Sequence, residues 1–149
     1  MTLQNICPDC GALQETDEGC VAYFHQLLSW EWEYNLQEVH HLLVLCYHMQ
    51  HPHLYSPETL ESSKHMLAQF IEDGMTPQRM RQTMRERVDS GKRTHKITGT
   101  VDSHGVYEHP VTWTMTIADV VAGGHAQYDD NVRAWAQSML DSLRASGNL

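Results

Sequence analysis

The first half of the chain has almost no basic side chains. Residues 1–75 contain eleven acidic residues and a single lysine or arginine, Lys64, and the formal net charge of all 149 residues is −9. This excess of acid argues against a general nucleic-acid binder, because proteins hold the phosphate backbone with lysine and arginine. Long apolar runs are absent as well. Without 18 consecutive apolar residues, no segment is predicted to span a membrane.

Recognisable catalytic motifs are also lacking, since there is no glycine-rich phosphate loop and no serine or cysteine nucleophile motif. The N-terminus shows no basic segment followed by an apolar stretch, so we expect no export signal and a cytoplasmic location. Four cysteines in that compartment are expected to be reduced thiols. Metal binding is therefore a better interpretation of closely spaced cysteines than a disulfide.

The most informative feature that is present is Cys7-Pro8-Asp9-Cys10-Gly11, followed by Cys20. A Cys-x-x-Cys-Gly turn places two thiolates on one tight loop, which is half of a tetrahedral zinc site. Cys20 supplies a third soft ligand. The sequence therefore predicts a structural Zn²⁺ at the N-terminus.

Apolar periodicity after residue 20 predicts an all-α fold, a helical bundle of four to five helices in a single domain covering residues 1–149. The expected parts are a metal-binding turn (1–20), four helices (20–90), a loop or hairpin (91–115) and C-terminal helices (116–146). The individual helices are expected at 20–33, 36–50, 57–73, 77–90, 117–122 and 125–146. Alternation of apolar and polar residues at about 96–115 is compatible with a small β-hairpin, and equally with an irregular loop.

The first helix is expected to bury an apolar stripe made of Val21, Phe24, Leu27, Leu28 and Trp32. The helix starts at Pro57 and Pro77 follow from Ser56-Pro57 and Thr76-Pro77, where a hydroxyl precedes a proline at the first helical position.

Geometry selects the fourth zinc ligand among the histidines. The first two helices are joined by a short link, so they should be antiparallel neighbours in which residues whose numbers sum to about 70 lie side by side. Cys20 then faces His51, with His48 and His53 as alternatives. His40 lies ~15 Å further along the helix. The predicted site is Cys7, Cys10, Cys20 and His51, and four protein ligands would make it structural rather than catalytic.

A second constellation consists of His40, His125 and Asp129, the last two sharing one face of the final helix. They could form an open three-ligand metal site with a bound water, which is the catalytic arrangement. Alternatively, His125 simply begins the last helix and His40 is an inward histidine with a protein partner.

The basic residues are concentrated in one segment, Arg79–Arg93. Residues 76–96 carry seven of the ten lysines and arginines, namely Arg79, Arg81, Arg85, Arg87, Lys92, Arg93 and Lys96. Such a segment either pairs with its own neighbours or contacts an anionic ligand or partner. Four tryptophans and amphipathic helices also make a homodimer plausible.

Several segments together resemble a family of small bacterial proteins that is known only as a domain of unknown function. They are Cys7–Gly11, Gly19-Cys20, Val39-His40 through Tyr47, Gln50-His51-Pro52, Thr116–Val120 and Val132–Ala136. The resemblance implies a helical domain with an N-terminal Cys-x-x-Cys and a Gln-His-Pro helix end, and no activity. A looser likeness, at the level of fold, is to DinB-type metal-dependent bundles, in which Asp129 would replace a third histidine.

The leading functional hypothesis is a cytoplasmic, zinc-stabilised binding or interaction module whose partner, a protein or an anionic small molecule, contacts Arg79–Arg93. The alternative is a DinB-like metal-dependent enzyme that uses His40, His125 and Asp129. A third hypothesis, a redox switch through Cys7 and Cys10, requires an exposed thiolate of low pKa.

Overall fold

Six α-helices and one short β-hairpin make up the regular structure in residues 5–88 and 96–149, which the computed structural model describes. The strands β1 (Asn5–Ile6) and β2 (Leu13–Gln14) pair antiparallel. The helices are α1 (Cys20–Glu33), α2 (His40–Gln50), α3 (Pro57–Glu72), α4 (Pro77–Val88), α5 (Ile117–Ala122) and α6 (Tyr128–Ala145). The predicted helical class is confirmed.

Local signals account for several of these helix starts. The Ser56 hydroxyl accepts a hydrogen bond from the Thr59 amide at 3.2 Å, and Thr76 accepts one from the Arg79 amide at 3.1 Å. Each bond satisfies an amide that has no partner within the helix. The predicted helix end near Ser90 lies outside the described residues.

Two helices begin later than predicted. Residues Gln37–Val39 and His125–Gln127 form single 3₁₀ turns that lead into α2 and α6. Periodicity cannot separate such a turn from the helix that follows it, because both place similar residues on one side.

The core lies around α6, which packs against α2, α3 and α5, while α1 packs against α5. The buried stripe of α6 contains Val132, Trp135, Met139 and Leu143, each fully excluded from solvent. Of the helices in the described ranges, none has both the length and the apolar character needed to cross a membrane.

The buried face of α1 differs from the predicted one. Its buried residues are Cys20, Leu27 and Glu31, whereas Trp32 is 83% exposed and Val21 is 36% exposed. The buried positions follow helical spacing, so the difference is a rotation of the buried face. Glu31 is buried in the core, where the apolar pattern predicted that Trp32 would be.

The segment at 96–115 is an irregular loop, and the hairpin lies at Asn5–Gln14 instead. The loop forms backbone hydrogen bonds with the α2–α3 connection, and its own Thr100 amide donates to the Ser103 carbonyl at 2.8 Å in a turn. The Ser56 amide donates to the Ile97 carbonyl at 2.9 Å, and the Gly99 amide donates to the Leu54 carbonyl at 3.0 Å. The Ile97 carbonyl and the Gly99 amide are therefore bonded to the α2–α3 connection, and not to a second strand of a hairpin.

Candidate metal centre

The hairpin and the ends of two helices bring the four predicted ligands together. Cys7 and Cys10 lie in the turn between β1 and β2, Cys20 is the first residue of α1, and His51 directly follows α2. The turn closes when the Gly11 amide donates to the Cys7 carbonyl and the Cys7 amide to that of Ala12, both at 2.9 Å. Gly11 has φ +84°, a conformation that glycine adopts without strain.

The donor atoms of Cys7, Cys10, Cys20 and His51 all lie within 4.8 Å of one another, and all four residues are buried. The Cys7 Sγ to His51 Nε2 distance and the Cys10 Sγ to Cys20 Sγ distance are both 3.6 Å. A tetrahedral zinc with Zn–S bonds of ~2.3 Å would separate its sulfurs by about 3.8 Å. The residues present therefore fit a metal of this size.

A backbone contact sets the orientation of His51. Its Nδ1 donates a hydrogen bond to the Tyr47 carbonyl at 2.7 Å. The proton is thereby held on Nδ1, which leaves the Nε2 lone pair directed at the cysteines. Behind it, the Tyr47 ring stacks on Phe24 of α1 with centroids 4.4 Å apart.

The contact between Cys10 and Cys20 shifts the pKa values of the two thiols in opposite directions. A hydrogen bond from the Cys10 thiol lowers the pKa of Cys20, and the same contact, together with burial, raises the pKa of Cys10. The Gln14 amide also donates to Cys20 Sγ at 3.7 Å, which supports the thiolate. Since Cys7 and Cys10 are each only 4% exposed, they lack the accessibility that the redox-switch hypothesis requires.

The alternative fourth ligands have other partners. His48 Nδ1 donates to the Val44 carbonyl at 2.8 Å, and its ring stacks on Tyr55. His53 Nδ1 lies 3.4 Å from an Asp9 carboxylate oxygen in a half-exposed position. The fourth cysteine, Cys46, is fully buried on α2, where burial raises the pKa of its thiol.

His40, His125 and Asp129 are not brought together as ligands of one ion. Within the described residues, only one group of three or more His, Cys, Asp or Glu side chains has metal-binding spacing. It consists of Cys7, Cys10, Cys20 and His51. His40 Nδ1 donates to Glu31 at 2.7 Å. The His125 ring stacks on Tyr34 at 3.8 Å, and Asp129 pairs with Arg133 at 2.5 Å.

Sequence reasoning missed a buried polar group centred on Glu31, which is 3% exposed. One carboxylate oxygen accepts from His40, and the other accepts from the Tyr128 hydroxyl at 2.5 Å. The available signal was the helical spacing of Cys20, Leu27 and Glu31. It was overlooked because acidic residues are rarely buried.

A family of unknown function, DUF5946, matches residues 5–144 of the chain. The chain belongs to this family. No curated protein and no solved structure matches it. Membership confirms the resemblance to a domain of unknown function, and the likeness to DinB-type bundles stays a prediction. The description of the family names no activity.

Proposed function

We propose that this protein is a binding module whose N-terminal segment is held to its helices by a structural zinc ion. The observation that carries the zinc assignment is the buried cluster of three thiols and one imidazole. Zinc suits this donor set, because soft thiolates and a neutral imidazole in tetrahedral spacing are typical of its structural sites. Four protein ligands leave no position for a reacting water.

The binding role is supported by the charge of α4. Arg81 and Arg85 are exposed on this helix in a chain that is otherwise strongly acidic. Exposed arginines on one helix favour an acidic protein partner or an anionic small molecule. The enzyme alternative needs His40, His125 and Asp129 on one ion, and each of these has a different partner. A homodimer remains a prediction.

The zinc assignment is tested by elemental analysis of protein purified without a metal-affinity column. We expect one zinc per chain in the wild type. Cys20→Ser and His51→Ala should each lose most of the metal, because each removes one of the four ligands.

Matched controls separate ligand loss from general damage. Cys46→Ala removes a buried thiol outside the site, and His48→Gln removes a neighbouring histidine whose partner is a backbone carbonyl. Both should retain a full complement of zinc. Metal-free wild-type protein that is fully folded would contradict the assignment, as would equal metal loss in the controls.

A further inference from the structure

A surface cavity of about 430 Å³ lies where α1, α2 and α4 approach one another, at the opposite end of α2 from the cysteines. Its polar lining comes from Glu31, Gln37, His40, His41 and Arg81. These residues belong to α1, α2, α4 and the 3₁₀ turn that precedes α2. Only the folded chain brings them to one place.

The His40 ring is held at the cavity by Glu31. The Glu31 carboxylate is buried and accepts from both Tyr128 and the His40 Nδ1. This hydrogen bond raises the pKa of the His40 imidazole. Nδ1 is thus engaged with the carboxylate, and within the described residues Nε2 has no hydrogen-bond partner. His40 can therefore present a donor to a ligand.

The charge balance of the cavity is positive when His40 is protonated. The His40 cation offsets the Glu31 carboxylate, so the charge of Arg81 remains. Arg81 forms no ion pair in the part of the chain that the structure describes, although its charge adds to burial and to the His40 charge in lowering the pKa of the His41 ring. In a protein of net charge −9, this is a local site for an anion.

The remaining wall of the cavity is apolar. Leu28 and Trp32 line it, and Trp32 is 83% exposed. A large exposed aromatic ring beside convergent polar groups is typical of a small-molecule site, where the ring packs on the ligand and the polar groups orient it.

We propose that this cavity binds a small organic anion, whose carboxylate or phosphate group lies between His40 and Arg81 and whose apolar body packs on Trp32. The assignment rests on the proposed binding role and names its ligand class. It does not depend on the zinc site, which lies at the other end of α2.

Calorimetric titration of the full chain with its bound metal tests the assignment. The probes are phenyl phosphate, benzoate, inorganic phosphate and uncharged benzyl alcohol. We expect the two aromatic anions to bind more tightly than the other two probes. Arg81→Gln should weaken their binding about tenfold or more, because it removes a charge-assisted contact. Trp32→Ala should weaken phenyl phosphate binding and leave inorganic phosphate unchanged.

Arg85→Gln is the matched control, since Arg85 is exposed one turn further along α4 and does not line the cavity. It should change affinity by less than about twofold. Equal losses of affinity in both arginine variants would mean that the anions are attracted to α4 as a whole. This result would overturn the assignment of the cavity as the binding site, while the exposed arginines of α4 would still be a contact surface. No binding of any probe to folded, zinc-loaded protein would also overturn it, with the zinc assignment unaffected.

Discussion

His40 and His51, at the two ends of α2, have opposite environments. The Nδ1 of His51 donates to a backbone carbonyl, which orients the ring and leaves Nε2 as the atom that can bind a metal. The Nδ1 of His40 donates to a carboxylate, which favours the imidazolium and raises its pKa. One helix thus supports two kinds of chemistry, and the partner of one ring nitrogen distinguishes them.

The pair formed by His40 and Glu31 predicts a pH-dependent stability. His40 has an ordinary pKa of 6.5, and its folded-state pKa is higher. The pair therefore stabilises the fold fully below about pH 6.5, and this contribution is lost as the pH rises through the folded-state pKa. We expect the free energy of unfolding of the wild type to fall relative to His40→Asn between about pH 6 and pH 9, measured by urea denaturation.

The comparison with His40→Asn removes the His40 titration, together with the effect that the His40 charge adds to burial in lowering the pKa of the neighbouring His41. Asparagine keeps a donor for Glu31 but does not titrate in this range, and the zinc ligands and His48 are present in both proteins. His65→Asn is the control, because His65 is 65% exposed beside Glu61. Its stability curve should parallel that of the wild type. Parallel curves for His40→Asn as well would refute the assigned role of the ion pair.

At the scale of elements, α1 and α2 show that a connection length can predict side-chain neighbours. Cys20 lies near His51, Phe24 stacks on Tyr47, and Glu31 bonds His40. All three pairs follow the predicted position sum of about 70 to within one residue. Antiparallel helices with a short link leave few other alignments, and Asn35 makes the turn with φ +56°.

The exposed arginines of α4, Arg81 and Arg85, are predicted to contact the partner. Replacing Arg81 and Arg85 with glutamate should abolish capture of the partner in a pull-down, because it reverses the charge of the contact surface. Zinc content and helical circular dichroism should be unchanged, since both side chains are exposed.

A control variant tests whether acidic residues added elsewhere on the surface have the same effect. Gln26→Glu with Ser29→Glu adds acid at exposed positions of α1 and should still capture the same proteins, identified by mass spectrometry. Capture that persists in the α4 variant would remove α4 as the contact surface.

For the whole molecule, the proposed zinc site and the helical core are expected to respond differently to metal removal. The hairpin has two-residue strands and exposed apolar side chains at Ile6 and Leu13, and the Tyr23 hydroxyl of α1 donates to the Leu13 carbonyl at 2.5 Å. With so few contacts, the hairpin should depend strongly on the proposed metal. The core around α6 buries Trp135 and Met139 completely, and none of the four candidate metal ligands lies on this helix.

We therefore expect a chelator to increase hydrogen exchange at the Cys7 and Gly11 amides first. The amides of α6 should stay protected, and added zinc should restore protection in the hairpin. Hydrogen–deuterium exchange with mass spectrometry measures both regions in one experiment. Uniform loss of protection would show that the metal holds the entire fold, and no change would show that it holds none of it.

Much of the fold and of the metal centre follows from local sequence. The cysteine spacing, the capping hydroxyls at Ser56 and Thr76 and the short α1–α2 link each act over a few residues, so each is visible without coordinates. The choice of His51 over His48 and His53 also follows, because it depends on where α2 ends.

Other features required the packed structure. Glu31 and Tyr128 meet although they are 97 residues apart, and Arg81 reaches the start of α2 from a separate helix. The segment at 96–115 pairs with residues near 55 and forms no hairpin. Contacts between distant parts of a chain leave no periodic or local signal, because they depend on how whole helices pack against each other.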